Sequence, residues 1–217
     1  QSVSLSADMY HSWGSWQGNL LLEGFFTDLS DVFALTEIGV EDGVLIKERR
    51  NESGARVYGG NIEGKLAYKS LWQMQAGVTL QRSNYKDAHA WANDVEATTQ
   101  MFRTPDFYGY FVTSYNPLKQ FMLSLSGTYT GSMLVEHHAG WIDANRTETT
   151  KGFFDMNFKA AYDFRLYNNI KLQLNAGVQN IFNAFQDDFD QGPDRDSGYI
   201  YGPAAPRSFY LGVKLSY

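Results

Sequence analysis

Along the stretch Pro206 to Tyr217 the chain alternates with a period of two. Phe209, Leu211, Val213, Leu215 and Tyr217 fall on one side, with Tyr210, Gly212, Lys214 and Ser216 on the other. Successive side chains of a strand point to opposite faces, so this spacing predicts a strand with one apolar and one mostly polar face. The same period recurs upstream. Val3, Leu5, Ala7 and Met9 alternate with Ser4, Ser6 and Asp8, while Tyr58, Ile62, Leu66 and Tyr68 alternate with Asn61, Glu63 and Lys65. Trp72, Met74, Ala76, Val78 and Leu80 oppose Gln73, Gln75 and Thr79, and Phe121, Leu123 and Leu125 oppose Ser124, Ser126 and Thr128. The cleanest run sets Phe154, Met156, Phe158, Ala160, Tyr162 and Phe164 against Asp155, Asn157, Lys159 and Asp163. Leu172, Leu174, Ala176 and Val178 then alternate with Gln173, Asn175 and Gln179. Asn19 to Phe33 predicts a strand of blurred phase and Phe107 to Tyr115 a further one, about nine strands in all.

Short and long connections alternate between these strands. Tight turns near Gly14, Ser70, Leu118 and Asn168 recur about every 50 residues. A loop at Glu41-Asp42-Gly43 and long polar loops at 87–104, 134–150 and 186–198 lie between them. Short turns on one side and long loops on the other is the pattern of outer-membrane barrels. Trp13 and Trp16 flank the first turn, placing indoles either at a headgroup boundary or in a soluble hairpin core. Alternation alone does not choose between hydrocarbon and the second layer of a sandwich as the neighbour of the apolar face.

Two motifs add to the pattern. Val178-Gln179-Asn180-Ile181-Phe182-Asn183, an acidic loop, and then Tyr201 to Tyr210 with its Pro206-Arg207-Ser208-Phe209 resemble the end of TonB-dependent outer-membrane receptors. Gly54 to Gly64 looks like that family's G-x-E-x-E-type strand, with Asn61 where an acid is common. The set Phe209, Leu211, Val213, Leu215 and Tyr217 resembles the terminal strand read by the barrel-assembly machinery. The loop Asp194 to Pro203 looks most like receptors from the Bacteroidetes, including cobalamin- and haem-type ones.

The resemblance implies an all-β, antiparallel, up-and-down transmembrane β-barrel in the bacterial outer membrane. The chain would supply the C-terminal part of a barrel of about 22 strands. It reads as a single barrel segment over 1–217, with no plug domain, TonB box or signal peptide among its residues. The partners implied are outer-membrane lipid, the remainder of the barrel and its plug, the TonB complex acting through that plug, and the barrel-assembly machinery. The activity implied is uptake of a large nutrient such as a ferric siderophore, haem, cobalamin or a glycan. Two other readings stand beside it. An eight- or ten-stranded complete barrel would have a structural, adhesion or channel role, and a soluble β-sandwich would be a binding module.

Composition narrows the field. No run of 18 apolar residues exists, so no transmembrane helix is expected. The negative mean hydropathy does not argue against a barrel, because lipid-facing and lumen-facing residues average out. Aromatics at 16% with 20 glycines and five prolines fit strands joined by tight turns. There is no cysteine, so neither disulfides nor thiolate chemistry enters. With 24 acidic and 18 basic residues the chain does not read as a nucleic-acid binder.

No catalytic motif is present, and the chain does not read as an enzyme. His11, His89, His137 and His138 are the histidines, none of them in a metalloprotease-type spacing. Substrate contact is expected from the long loops, through Trp91, Phe102, Trp141 and Phe189, with His137 and His138 as either ligand contacts or a solvated pair. No cofactor is expected. Asp187, Asp188, Asp190, Asp194 and Asp196 have the oxygen density for a loop calcium ion but not the EF-hand order, and Arg195 and Arg207 could neutralise them instead. Glu63, Lys65, Gln73, Gln75, Asp155, Asn157, Lys159, Asp163, Lys171, Gln173, Asn175 and Lys214 form the expected lumen-facing wall.

Overall fold

The computed structural model describes residues 1–51, 53–167, 170–203 and 205–216. The Asn168–Asn169 turn and the terminal Tyr217 lie outside the described residues. The strands are β1 (Ser2–Trp13), β2 (Trp16–Leu29), β3 (Phe33–Glu41), β4 (Val44–Asn51), β5 (Ala55–Tyr68), β6 (Trp72–His89) and β7 (Thr98–Gln100). They continue as β8 (Phe107–Leu118), β9 (Phe121–Thr130), β10 (Leu134–His137), β11 (Arg146–Thr149), β12 (Phe153–Arg165), β13 (Lys171–Gln179) and β14 (Ser208–Ser216). Each main strand pairs antiparallel with its neighbour in the order β1-β2-β5-β6-β8-β9-β12-β13-β14, an up-and-down path of nine strands with β7 added beside β6. Among the described residues β1 and β14 pair only with β2 and β13, so this sheet does not close on itself.

The registers keep both faces coherent across the whole sheet. Residues directly opposite share a face. Leu5 pairs with Gly24, Gly24 with Gly60 and Gly60 with Leu80 on one face. On the other, Glu23 pairs with Asn61 and Asn61 with Thr79. The same holds from Tyr110 through Thr128 and Asp155. A one-residue slip anywhere would have exchanged the faces. The apolar face lies open: Phe158, Leu211 and Leu215 are 36%, 79% and 66% exposed. Among the described residues no second layer covers them, so the sandwich reading fails. An antiparallel sheet with a bare, continuous apolar outside matches a surface that meets lipid.

Aromatics collect at both margins of that face. At the short-turn end Trp16 lies against Tyr68 at 4.8 Å and Trp72 at 6.0 Å, and Tyr162 packs on Phe121 and Phe164. At the other end Phe107 meets Tyr129, and Phe154 stacks between Phe111 and Phe182. Trp72 to Leu80, which pairs with Phe107, is eight residue steps. At ~3.4 Å per residue and a tilt of ~40° this spans about 21 Å, near the ~25 Å apolar band of outer-membrane barrels.

Several loops carry more structure than the pattern predicts. Asp42 and Gly43 both sit at positive φ (51° and 78°), the two-residue turn that joins β3 to β4 as a hairpin outside the main sheet. Phe33 belongs to that hairpin and not to the strand before it, which ends at Leu29. The segment expected as a loop over 87–104 opens with the last turns of β6 and contains β7, and the one over 134–150 is the β10–β11 hairpin. Their polar composition hid strands that do not border lipid and so need no apolar face.

Candidate functional site

The long connections gather at one end of the wall into a packed cap. Its centre is His137, 4% exposed, whose ring stacks on Tyr199 at 3.6 Å and 7°. His137 Nε2 lies 3.0 Å from Asp190 Oδ1, and its Nδ1 lies 3.9 Å from Glu148 Oε1. The second Asp190 oxygen accepts from the Asp196 amide, and Asp196 in turn accepts from the amides of His138 and Gly198. Gln186, 1% exposed, donates to the Tyr199 carbonyl and accepts from the Tyr201 amide, so its side-chain amide bridges the returning loop. A buried amide paired at both ends holds the backbone without leaving a polar atom unsatisfied.

Asp188 accepts hydroxyl protons from both Tyr199 and Tyr201. Burial would raise its carboxyl, but the hydrogen bonds from Tyr201, Tyr199, Gln186 and its own backbone together hold the group below its ordinary range. Burial first, and the neighbouring Asp188 second, push the Tyr199 hydroxyl up to about 12 and raise Tyr201 as well. Asp188, Asp190 and Asp196 are thus drawn to separate protein partners, and among the described residues no three acids or imidazoles converge on a metal-sized site. Arg195 and Arg207, the expected counter-ions, donate to the carbonyls of Gly192 and Ile181.

The expected substrate-loop residues separate by exposure. Trp91 is 2% exposed and donates its indole N–H to Thr147, with its ring edge against His138 at 4.6 Å. It joins the loop over 87–104 to β11. His138 Nε2 also lies 3.3 Å from Lys47 Nζ on the β3–β4 hairpin. Phe102 is half-buried, beside Arg103, whose guanidinium donates to the carbonyls of Gly198 and Ile200. Trp141 and Phe189 are exposed and present their rings to the outside of the cap. The pattern pointed to aromatics in loops and to Asp190 only as one of five acids, and not at all to Gln186 and Arg103, which tie those loops together with it. Nothing in their local spacing distinguishes them from solvated loop residues.

The terminal motifs have a physical reason. Asn180 and Asn183 adopt positive φ (51° and 55°), the left-handed conformation that asparagine tolerates. The Asn180 side chain accepts from the Ala184 amide and donates to the carbonyls of Ala184 and Ala205. Asn183 Oδ1 accepts from the Arg207 amide, and the Arg207 guanidinium donates to Ile181. The two asparagines and Pro206-Arg207 form one clasp that closes the loop between β13 and β14.

The inner wall is polar and cross-linked. Tyr110 donates to Glu63 and accepts from Gln75, and Lys65 pairs with Glu63 at 3.1 Å. Asn61 donates to Glu23 and accepts from Thr79, and Gln173 donates to Asp163. Tyr110 lies so close over Gly77 that a Cβ there would meet its ring at 2.8 Å. Tyr210 covers Gly177 in the same way, an aromatic packed over a bare strand position.

This arrangement has counterparts of known structure. The catecholate siderophore receptor Fiu of Escherichia coli K12 is 27% identical over 163 residues, which are 75% of this chain and 20% of that receptor. Its crystal structure superposes with a TM-score of 0.58 at 24% identity, over 90% of this chain and 25% of Fiu. The ferric enterobactin receptor PfeA of Pseudomonas aeruginosa gives 0.60 at 16% identity, over 98% of this chain and 30% of its own. The FrpB iron transporter of Neisseria meningitidis gives 0.56 at 17%, with the same coverage. The chain thus spans about a fifth of the length of the curated relatives it matches. Residues 2–217 match the family described as outer membrane protein beta-barrel, and the chain belongs to that family, in the outer membrane.

Proposed function

We propose that this chain forms barrel wall and extracellular loops of a TonB-dependent receptor that imports a large metal chelate of the siderophore type. It does no chemistry of its own. The observation that carries the reading is the two-faced nine-strand sheet, bare and apolar outside, polar and cross-linked inside, with edges at β1 and β14 that pair no further among the described residues. Those edges suit continuation into a larger barrel, since an exposed strand edge in a membrane leaves backbone groups unsatisfied. The remaining strands and a plug contacted by TonB would come from the rest of such a receptor, and the apolar side chains Phe209, Leu211, Val213 and Leu215 of β14 would be recognised by the assembly machinery.

Within the cap, Trp141 and Phe189 are the surfaces offered to substrate, with Phe102 and His138 at the margin. Trp91 and His137 act from below, holding the loops that carry them. A ferric catecholate is the first substrate to test, since the relatives' names include it, with haem and cobalamin as comparisons. Uptake of labelled ferric catecholate by cells expressing the receptor should fall about tenfold in the Trp141→Ala, Phe189→Ala double variant, with surface display unchanged. That corresponds to losing stacking of about 1.4 kcal/mol at the rings. Unchanged uptake of every tested chelate by the double variant would sink the assignment of the site.

A further inference from the structure

The outward face of β2, β5 and β6 carries a feature that barrel wall alone does not require. Near the extracellular end Phe26, Tyr58 and Arg82 share one row, with Asp28, Arg56 and Asn84 in the row above. Lys86 follows on the same face of β6. Arg56 and Lys86 converge on Asp28, and Arg82 pairs with Asp106. Three cations therefore meet two carboxylates, leaving one net positive charge where the apolar band ends. The Arg56 and Arg82 side chains are 58% and 63% exposed, within reach of a group at the membrane surface.

Directly below lies a groove of about 590 Å³, lined chiefly by Leu5, Leu22, Gly24, Gly60, Ile62 and Leu80. Gly24 and Gly60 pair across the strands and form its floor, with Leu5 and Leu80 as walls. A Cβ on Gly24 would meet nothing within 4 Å, so the trench is open toward the membrane.

We propose that this face is a binding site for an outer-leaflet lipid that presents an exposed anionic phosphate monoester. The phosphate sits against Arg56, Arg82 and Lys86, and one acyl chain lies in the groove beneath. The charge and the groove are complementary to the two ends of one molecule, in the order the membrane presents them. An arginine fork matches phosphate geometry, and the surrounding carboxylates keep the cations in place when the lipid is absent. The site rests on the outer-membrane placement of the wall and not on the transported substrate, so its failure leaves the uptake reading intact.

The test uses the receptor purified from outer membranes and placed in phosphatidylcholine nanodiscs containing a minor fraction of phosphatidic acid. Native mass spectrometry reads the lipid retained. The wild type should retain phosphatidic acid in preference to phosphatidylcholine, and the Arg56→Gln, Arg82→Gln, Lys86→Gln variant should weaken retention about fivefold per charge removed. Gly24→Leu fills the trench without touching the cations and should weaken it too. Heat-modifiable gel mobility checks that each variant is folded. If the triple variant does not fold, Arg82→Gln alone with a salt titration takes its place, and retention should fall as salt rises. Equal retention of both lipids by the wild type, or unchanged retention in either variant, would overturn the site.

Discussion

The wall and the cap of this molecule invert the usual relation between core and surface. In the wall, large apolar side chains such as Val3, Leu5, Ile62, Leu80 and Leu211 stand exposed, while the polar groups bond to one another on the inner face. In the cap, the side chains most hidden from solvent include Trp91, Val135 and Gln186, in segments that connect strands. The wall is stabilised by pairing and by its solvent, a bilayer. The cap is stabilised by packing and buried hydrogen bonds as a soluble protein is. The difference teaches that a polar loop sequence here encodes a folded object, while an apolar strand sequence encodes a surface.

The strongest way to break the comparison is to place a charge on the two faces of one strand. Ala76→Arg, on the outer face of β6, should destabilise the protein by about 2–4 kcal/mol, the range for arginine near the bilayer midplane. Gln75→Arg, one residue away and facing Glu63 and Tyr110, should change stability by about 1 kcal/mol or less. Urea unfolding from lipid vesicles measures both. Equal costs at the two positions would remove the assignment of faces.

The next effect belongs to the cap. Asp190→Ala removes the partner of buried His137 Nε2 and the acceptor of the Asp196 amide. It should cost the cap about 1–3 kcal/mol, the penalty for buried polar groups left unpaired. Hydrogen exchange should accelerate over 186–201 and 134–149 while the wall strands keep their protection. Loss of protection in β9 and β12 as well would mean that the cap and the wall fold as one unit.

The smallest effect is a pH dependence confined to the cap. Tyr199 loses its proton at about 12 in the folded protein against 10.0 in an unfolded one. The unfolded chain therefore binds fewer protons between these values, and cap stability should fall as pH rises from about 10 to about 12. Asp188 shifts the opposite way, so its contribution is present above the ordinary carboxylate range and is lost as pH falls through its lowered value. Tyrosine absorbance and exchange rates over 186–201 should track both limbs. Tyr199→Phe should shrink the alkaline limb, to which the raised Tyr201 also contributes, and the Tyr199→Phe, Tyr201→Phe double variant should abolish it.

Much of the wall was legible in the sequence. The period of two around Phe154 to Phe164 and Trp72 to Leu80 forces alternate faces, and the turns at Gly14 and Lys69 fix where the chain reverses. The lumen set around Glu63, Gln75 and Asp163 follows from that period, and the count of nine from it together with the alternating turns, since the phase of Asn19 to Phe33 is blurred. The cap was legible only as a set of aromatics and acids. Asp42-Gly43 was legible as a loop but not as the turn of a hairpin, and Thr98–Gln100 and Arg146–Thr149 had no apolar period to reveal them as strands.

The division has one physical reason. Wherever a bilayer constrains one face of every strand, each residue's environment is set by its parity, and local order suffices to read it. In the cap, the environment of His137 depends on Tyr199 and Asp190, more than fifty residues away. The sequence by itself determined the faces and the turns, while the bareness of the apolar face, which excludes a second sandwich layer, came from the structure. Only the tertiary structure decided which loop residues are buried struts and which, like Trp141 and Phe189, are left facing outward, because that depends on contacts between distant segments that no local pattern encodes.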